Sequence, residues 1–218
     1  MITVIANLKG GSGKSTVAFN LSVWLATKGL PVIAYDLDPQ CTLMDVAQVR
    51  VEEGRTPPVQ VYNDKEGLSD YLSYHPGEVI VDVGAASMDA MKEAISIADR
   101  VLIPVPPSQP DVWATQRFLK IIEDAVKGAE PPALLAFVNR ADTHRAVRES
   151  DETEEALGML DGISVLPYRL FQRTIFRRSM SEGLAVFELW RSCKAAQEFN
   201  EFAYHLYPQL LPENVASR

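Results

Sequence analysis

Near the amino terminus, Lys9-Gly10-Gly11-Ser12-Gly13-Lys14-Ser15-Thr16 places a lysine and two hydroxyls directly behind a glycine-rich turn. Glycines allow successive backbone N–H groups to converge on one anion. A helix opening after Gly13 would aim its unsatisfied donors and the positive end of its dipole at the same point. The chemistry this suits is polyphosphate binding. Lys14 would bridge the β- and γ-phosphates, and the Ser15 hydroxyl would ligate Mg²⁺. Glycine-rich turns after strands are common without any ligand. Gly13-Lys14-Ser15 immediately behind an apolar run argues for the phosphate site.

Three carboxylates could complete it. Asp36 and Asp38 lie in Tyr35-Asp36-Leu37-Asp38-Pro39-Gln40, and Asp82 ends the apolar run Val79-Ile80-Val81. Carboxylates just past the ends of parallel strands face the ligand crevice in open α/β sheets. Paired acids there repel one another unless a cation joins them, and Mg²⁺ supplies that charge. Asp82 would hold the ion through water, and Gly84 would let the next loop approach the γ-phosphate. A plainer role for Asp38 is to cap a helix beginning near Gln40.

These residues need a frame. Near-continuous apolar runs predict strands at Ile2–Ala6, Pro31–Tyr35, Glu78–Asp82, Arg100–Val105, Ala133–Val138 and Ile163–Leu166. Helical patterns alternate with them at Ser15–Lys28, Val112–Lys127, Ser150–Leu160 and Ser192–Leu206. The stretch Arg50–Asp64 reads as a loop with a short strand at Val59–Tyr62. The fold class expected is α/β: one domain over residues 1–218, a mostly parallel, doubly wound sheet with a P-loop and helices on both faces.

The 218 residues suffice for a large core, and 47% hydrophobic with 23% charged residues is ordinary for a globular chain. No apolar run approaches the roughly 18 residues of a membrane span. Two cysteines, Cys41 and Cys193, form no CxxC, and three histidines lack metal-site spacing. No secretory signal is visible, so a cytoplasmic setting is expected. A net charge of −8 rules out nucleic-acid binding through the overall field and leaves only a local basic patch.

The strict GxxxxGK[ST] pattern needs Gly at position 8, where this chain has Leu8, and a second lysine, Lys9, precedes the glycines. In this the sequence resembles the ParA/MinD family of deviant Walker A ATPases. Asp36-Leu37-Asp38-Pro39-Gln40 resembles that family's first switch, and Val79–Gly84 its Walker B strand. Val83-Gly84-Ala85-Ala86 departs from the turn many relatives carry. The resemblance implies ATP and Mg²⁺ as ligands and ATP hydrolysis as the activity. It implies that Lys9 reaches the phosphates of a partner's nucleotide, making a homodimer when ATP is bound. It further implies that Asp38 orients the attacking water, that Asp36 joins the Mg²⁺ shell, and that Asn139 and Pro167 contact adenine. Ile103–Ser108 followed by Pro110-Asp111 resembles the exit into the dimer-facing helix.

Between Gly162 and Ser181 there is no acidic residue but four arginines, Arg169, Arg173, Arg177 and Arg178. On a helix, positions 169, 173 and 177 would share a face. The resemblance implies non-specific DNA binding here, with association to the nucleoid. Eight such charges across a dimer would give a log–log salt slope of about −7. The alternative is that some of these arginines pair with the acidic stretch Asp151–Glu155 or cross the dimer interface. The first strand begins at Ile2, so no helix-turn-helix is expected ahead of it. The tail after Pro208 is short and proline-broken, so no membrane contact of the MinD kind is expected.

The function expected is a ParA-type ATPase that positions a plasmid, a chromosome locus or a protein organelle such as a carboxysome. A cargo-bound adaptor would stimulate its hydrolysis. The alternatives are a ligase of the dethiobiotin-synthetase type and a MinD-like membrane-associated positioning ATPase. The ligase reading accounts for the phosphate loop but not for Lys9 or the arginines.

Overall fold

The computed structural model describes residues 1–64, 75–128, 130–144 and 147–211. Its centre is a sheet of β1 (Ile2–Asn7), β2 (Val32–Asp36), β3 (Gln60–Tyr62), β4 (Glu78–Gly84), β5 (Arg100–Val105), β6 (Ala133–Ala141) and β7 (Ser164–Val165). The strand order is β3-β2-β4-β1-β5-β6-β7, and the short β8 (Leu170–Phe171) pairs the far end of β6. Every pairing among the described strands is parallel. The chain moves outward to one side of β1 through β2 and β3, returns at β4, then crosses to the other side at β5. The ends of β1, β2 and β4 therefore meet at the point where the winding reverses, the usual crevice of such sheets.

Side chains alternate between two cores, as the two-residue period of a strand requires. Ile5, Ala34, Ile80, Leu102 and Phe137 face one side, where α1 (Lys14–Thr27), α2 (Thr42–Glu52) and α8 (Lys194–Leu206) cover them. Val4, Tyr35, Val81, Ile103 and Ala136 face the other, under α3 (Met88–Ser96), α4 (Gln109–Ala125) and α5 (Glu149–Gly158). Helix α1 is buried at every position from Val17 to Leu25, so it runs through the core with no solvent face of its own. That burial anchors the loop in front of it.

The doubly wound α/β expectation holds, and the sheet is parallel throughout. Arg50–Asp64 is corrected in part: α2 runs on through Arg50 to Glu52, and β3 follows at Gln60. The expected shared helical face of the arginines is overturned. Arg169 precedes β8, and Arg173 sits in extended backbone just before α6 (Thr174–Ser181). Only Arg177 and Arg178 are helical. A short α7 (Val186–Leu189) completes the elements used below.

Candidate functional site

Gly13 carries the turn into α1 with φ of 90°, a left-handed conformation that favours glycine. A Cβ there would run into the Asn139 amide. That amide Nδ2 donates to the Ser12 carbonyl at 2.7 Å. Asn139, at the end of β6, thus pins the phosphate turn from the side. Lys14 is the first residue of α1 and is buried.

Three segments converge on Gly84, the last residue of β4. A Cβ at this position would stand 2.6 Å from Asp38 Oδ2 and 3.4 Å from Lys14 Nζ. Only glycine leaves room for the catalytic candidates Lys14 and Asp38 to lie together over that strand end. Asp38 is half-buried, and its Oδ1 accepts from the Gln40 N–H at 3.1 Å. Oδ2 is the oxygen that faces Gly84.

Asp36 and Asp82 sit side by side in register on β2 and β4 but differ in occupation. Asp36 Oδ1 accepts from Asp38 N–H at 3.2 Å, and Oδ2 accepts from Met44 N–H at 2.9 Å. Burial raises the Asp36 pKa, and these backbone bonds oppose the rise. Its carboxylate is engaged in fastening α2 to the strand end. Asp82 is fully buried, and neither of its oxygens has a well-formed hydrogen bond. The Ser15 hydroxyl is close enough to pull its pKa down without meeting hydrogen-bond geometry. Desolvation, reinforced by Asp36 and Asp38, pushes the Asp82 pKa up to about 7 against the pull of Ser15 and Lys14.

A buried, orphaned carboxylate beside a serine hydroxyl and two further acids suits a divalent cation. Among the described residues, no cluster of three or more His, Cys, Asp or Glu side chains could hold a metal unaided. Mg²⁺ sites that share their ion with phosphates and water have this character. The donors Ser15, Asp36, Asp38 and Asp82 fit the ion on that basis, with Asp82 the least committed elsewhere.

Lys9 lies at the outer edge of the turn with its side chain 41% exposed. Its Nζ is 3.2 Å from Asp111 Oδ2. Asp111 belongs to the first turn of α4, where its backbone N–H donates to Ser108 Oγ and the Ser108 hydroxyl donates to its carboxylate. The sequence pointed to the segment holding Asp111 but not to its ion pair with Lys9. Ser108 and Asp111 at capping spacing are the signal that was available.

A narrow cavity opens beside Gly13, Thr16 and Asn139, closed by Phe171, Arg173 and Arg177. Pro167 is exposed in the connection before β8 and does not line this cavity. The structure brings Asn139 to the phosphate turn, and Leu170, not Pro167, is its neighbour in the sheet. Of the four arginines, Arg169 pairs with Glu154 at 2.5 Å and Asp151 at 2.6 Å. Arg173 makes a two-pronged pair with Glu198 at 2.6 and 3.0 Å. Arg178 pairs with Glu182 at 3.3 Å on an exposed helical turn. Arg177 is exposed, and among the described residues no acid pairs with it.

Residues 3–186 match the family model for the CobQ/CobB/MinD/ParA nucleotide binding domain. Among curated proteins, the chain is 30% identical over 210 residues to the maintenance of carboxysome distribution protein A of Halothiobacillus neapolitanus, covering 94% of this chain and 95% of that one. It is 29% identical over 180 residues to the ParA protein of Rhizobium radiobacter, covering 80% of each. Among solved structures, an ATP complex of McdA from Cyanothece superposes with a TM-score of 0.74 at 20% identity, covering 95% of this chain and 96% of that one. MinD with Mg-ADP from Pyrococcus horikoshii gives 0.70 at 19%, covering 99% and 97%. At those identities the structures speak for the fold alone. The family match and the full-length relative carry the assignment further: the chain belongs to the CobQ/CobB/MinD/ParA nucleotide-binding family, among its ParA-like positioning and partition ATPases.

Proposed function

We propose that this protein is a Mg²⁺-dependent ATPase that dimerises around ATP and positions a cargo along DNA. The observation that carries the proposal is the meeting of Lys14 and Asp38 over Gly84, beside the orphaned Asp82. Backbone donors from Gly10 to Thr16, with Lys14, hold the triphosphate. Ser15 and Asp82 would hold Mg²⁺, whose charge would offset that of the phosphates. Asp38 Oδ2 orients the water that attacks the terminal phosphate. Lys9 leaves Asp111 and crosses to the nucleotide of the second copy. Its present ion pair is half-exposed, and such pairs are worth only about 0–1 kcal/mol, so the exchange costs little.

Resemblance to a carboxysome distribution protein and to ParA supports a positioning role, with nucleoid DNA as the track and a cargo-bound adaptor as the trigger of hydrolysis. Among the described residues, no helix is long and apolar enough to cross a membrane. Arg177 and Arg178 are the DNA-facing candidates: Arg169 and Arg173 are largely buried in their pairs with acids, whereas Arg177 has no acid partner among the described residues and the Arg178 pair with Glu182 is exposed.

Asp38→Ala tests the chemistry. It should cut ATP turnover by about a hundredfold or more while ATP affinity stays within a few-fold. Turnover within twofold of the parent would remove Asp38 from the mechanism. For the track, retention of random-sequence DNA with ATP and Mg²⁺ should vanish in Arg177→Glu/Arg178→Glu. Undiminished retention would move the DNA surface elsewhere.

A further inference from the structure

Arg140 is used by nothing described above, yet it stands at the centre of the ligand edge. It follows Asn139 at the end of β6 and adopts φ of 59°. A non-glycine residue in that region carries strain that its surroundings must impose. Its guanidinium Nη1 reaches back over the phosphate turn, 3.7 Å from where a Cβ on Gly11 would stand. Arg140 lines both the narrow cavity beside Gly13 and Thr16 and a second cavity of about 370 Å³. Asp142 and Glu149 line that second cavity, but neither pairs with Arg140. The Asp142 carboxylate instead accepts from the His144 N–H at 2.7 Å. The chain thus holds a planar cation, exposed and without an acid among the described residues, above a turn built for an anion.

We propose that Arg140 is a phosphate-binding residue, closing over the nucleotide of its own subunit from the side opposite Lys14. The proposal rests on the nucleotide-binding reading above and extends it to a third cation. It also gives the backbone strain a purpose. The left-handed turn after Asn139 lets one two-residue step place the amide under the phosphate turn and the guanidinium over it. Because Arg140 is present in the unassembled chain, its contact serves ADP and ATP alike. Lys9, by contrast, acts only where a second copy is present. A guanidinium also suits the task chemically: it is planar, always charged and able to bind two phosphate oxygens at once.

The test compares wild type with Arg140→Gly, Arg140→Lys and Arg140→Gln. Two quantities are measured: the dissociation constant of a fluorescent ADP analogue with Mg²⁺, and the thermal midpoint without ligand. Glycine relieves the strain at positive φ, so Arg140→Gly should keep or raise the ligand-free midpoint. The same variant should bind the ADP analogue about ten- to a hundredfold more weakly. Arg140→Lys should recover most of that loss, and Arg140→Gln should not. Three results would each overturn the proposal: Arg140→Gly binding as wild type does, a fall in stability that tracks the fall in affinity, or rescue by Gln equal to rescue by Lys. A wild-type protein that binds no ADP analogue would fail the nucleotide reading itself and take this proposal with it. Wild-type binding with no effect at position 140 would fail only the proposal.

Discussion

At the residue scale, the informative side chain is Asp82, because its environment suits a state it does not occupy alone. Its pKa of about 7 reflects burial without a partner, against an ordinary 3.8. The unfolded chain ionises this group at about pH 4. Between those values the folded protein binds a proton that the unfolded one has released. Stability from this residue is therefore complete below about pH 4 and drains away as pH rises towards 7. Asp82→Asn removes the penalty. In the absence of nucleotide and Mg²⁺, it should stabilise the protein by roughly 2–4 kcal/mol at pH 8 and by little at pH 4.5. Denaturant titrations at the two pH values measure this; equal effects at both would mean that Asp82 is already paired. The identity of this acid was legible in sequence as one carboxylate ending an apolar strand. The contrast with Asp36 was not, because only the fold shows that Met44 N–H and Asp38 N–H occupy the Asp36 oxygens.

At the element scale, α2 joins the nucleotide edge to the arginine-bearing end of the chain. Its first turn is tied to Asp36. Its last turn carries Arg50, fully buried, which donates to Glu188 at 2.8 and 2.9 Å and to the Pro57 and Gly183 carbonyls. Gly183 is obligatory here, since a Cβ would stand 2.6 Å from the Arg50 backbone. Removing one partner of a buried pair strands the other charge. Glu188→Ala should cost roughly 2–4 kcal/mol in urea unfolding, with Glu188→Gln recovering part of it. A loss under about 0.5 kcal/mol would show that Arg50 finds its bonds elsewhere. The sequence offered a helix beginning near Gln40 but not its extent to Glu52. Leu43, Val46, Ala47 and Arg50 form a clean helical stripe, but a charged residue at its fourth position disguises it. The arginine run misled for the converse reason. Even spacing at 169, 173 and 177 suggested one helix, whereas β8 and the start of α6 interrupt it. With Arg177 and Arg178 alone available, a dimer offers four charges. The log–log salt slope of DNA binding should then be nearer −4 than −7, as retention across a salt series will show.

At the scale of the whole molecule, a parallel sheet with one reversal of winding places its functional loops on one edge. The alternation of apolar runs with helical patterns was enough to read that architecture, because strands buried on both faces need no side-chain detail to be recognised. The proposed dimer rests chiefly on Lys9, a second cation beside a turn that already has Lys14. In the single chain Lys9 sits on Asp111, at the start of a helix whose exposed residues include Pro110 and Trp113. Lys9 is proposed to leave this resting pair for a second copy's nucleotide. Sedimentation velocity of wild type and Lys9→Ala, each with a non-hydrolysable ATP analogue and Mg²⁺ or with ADP and Mg²⁺, tests it most directly. Wild type should shift from monomer to dimer with the ATP analogue alone, and Lys9→Ala should stay a monomer under both conditions. A wild-type protein whose mass ignores the nucleotide, or a Lys9→Ala variant that dimerises as well as its parent, would contradict it.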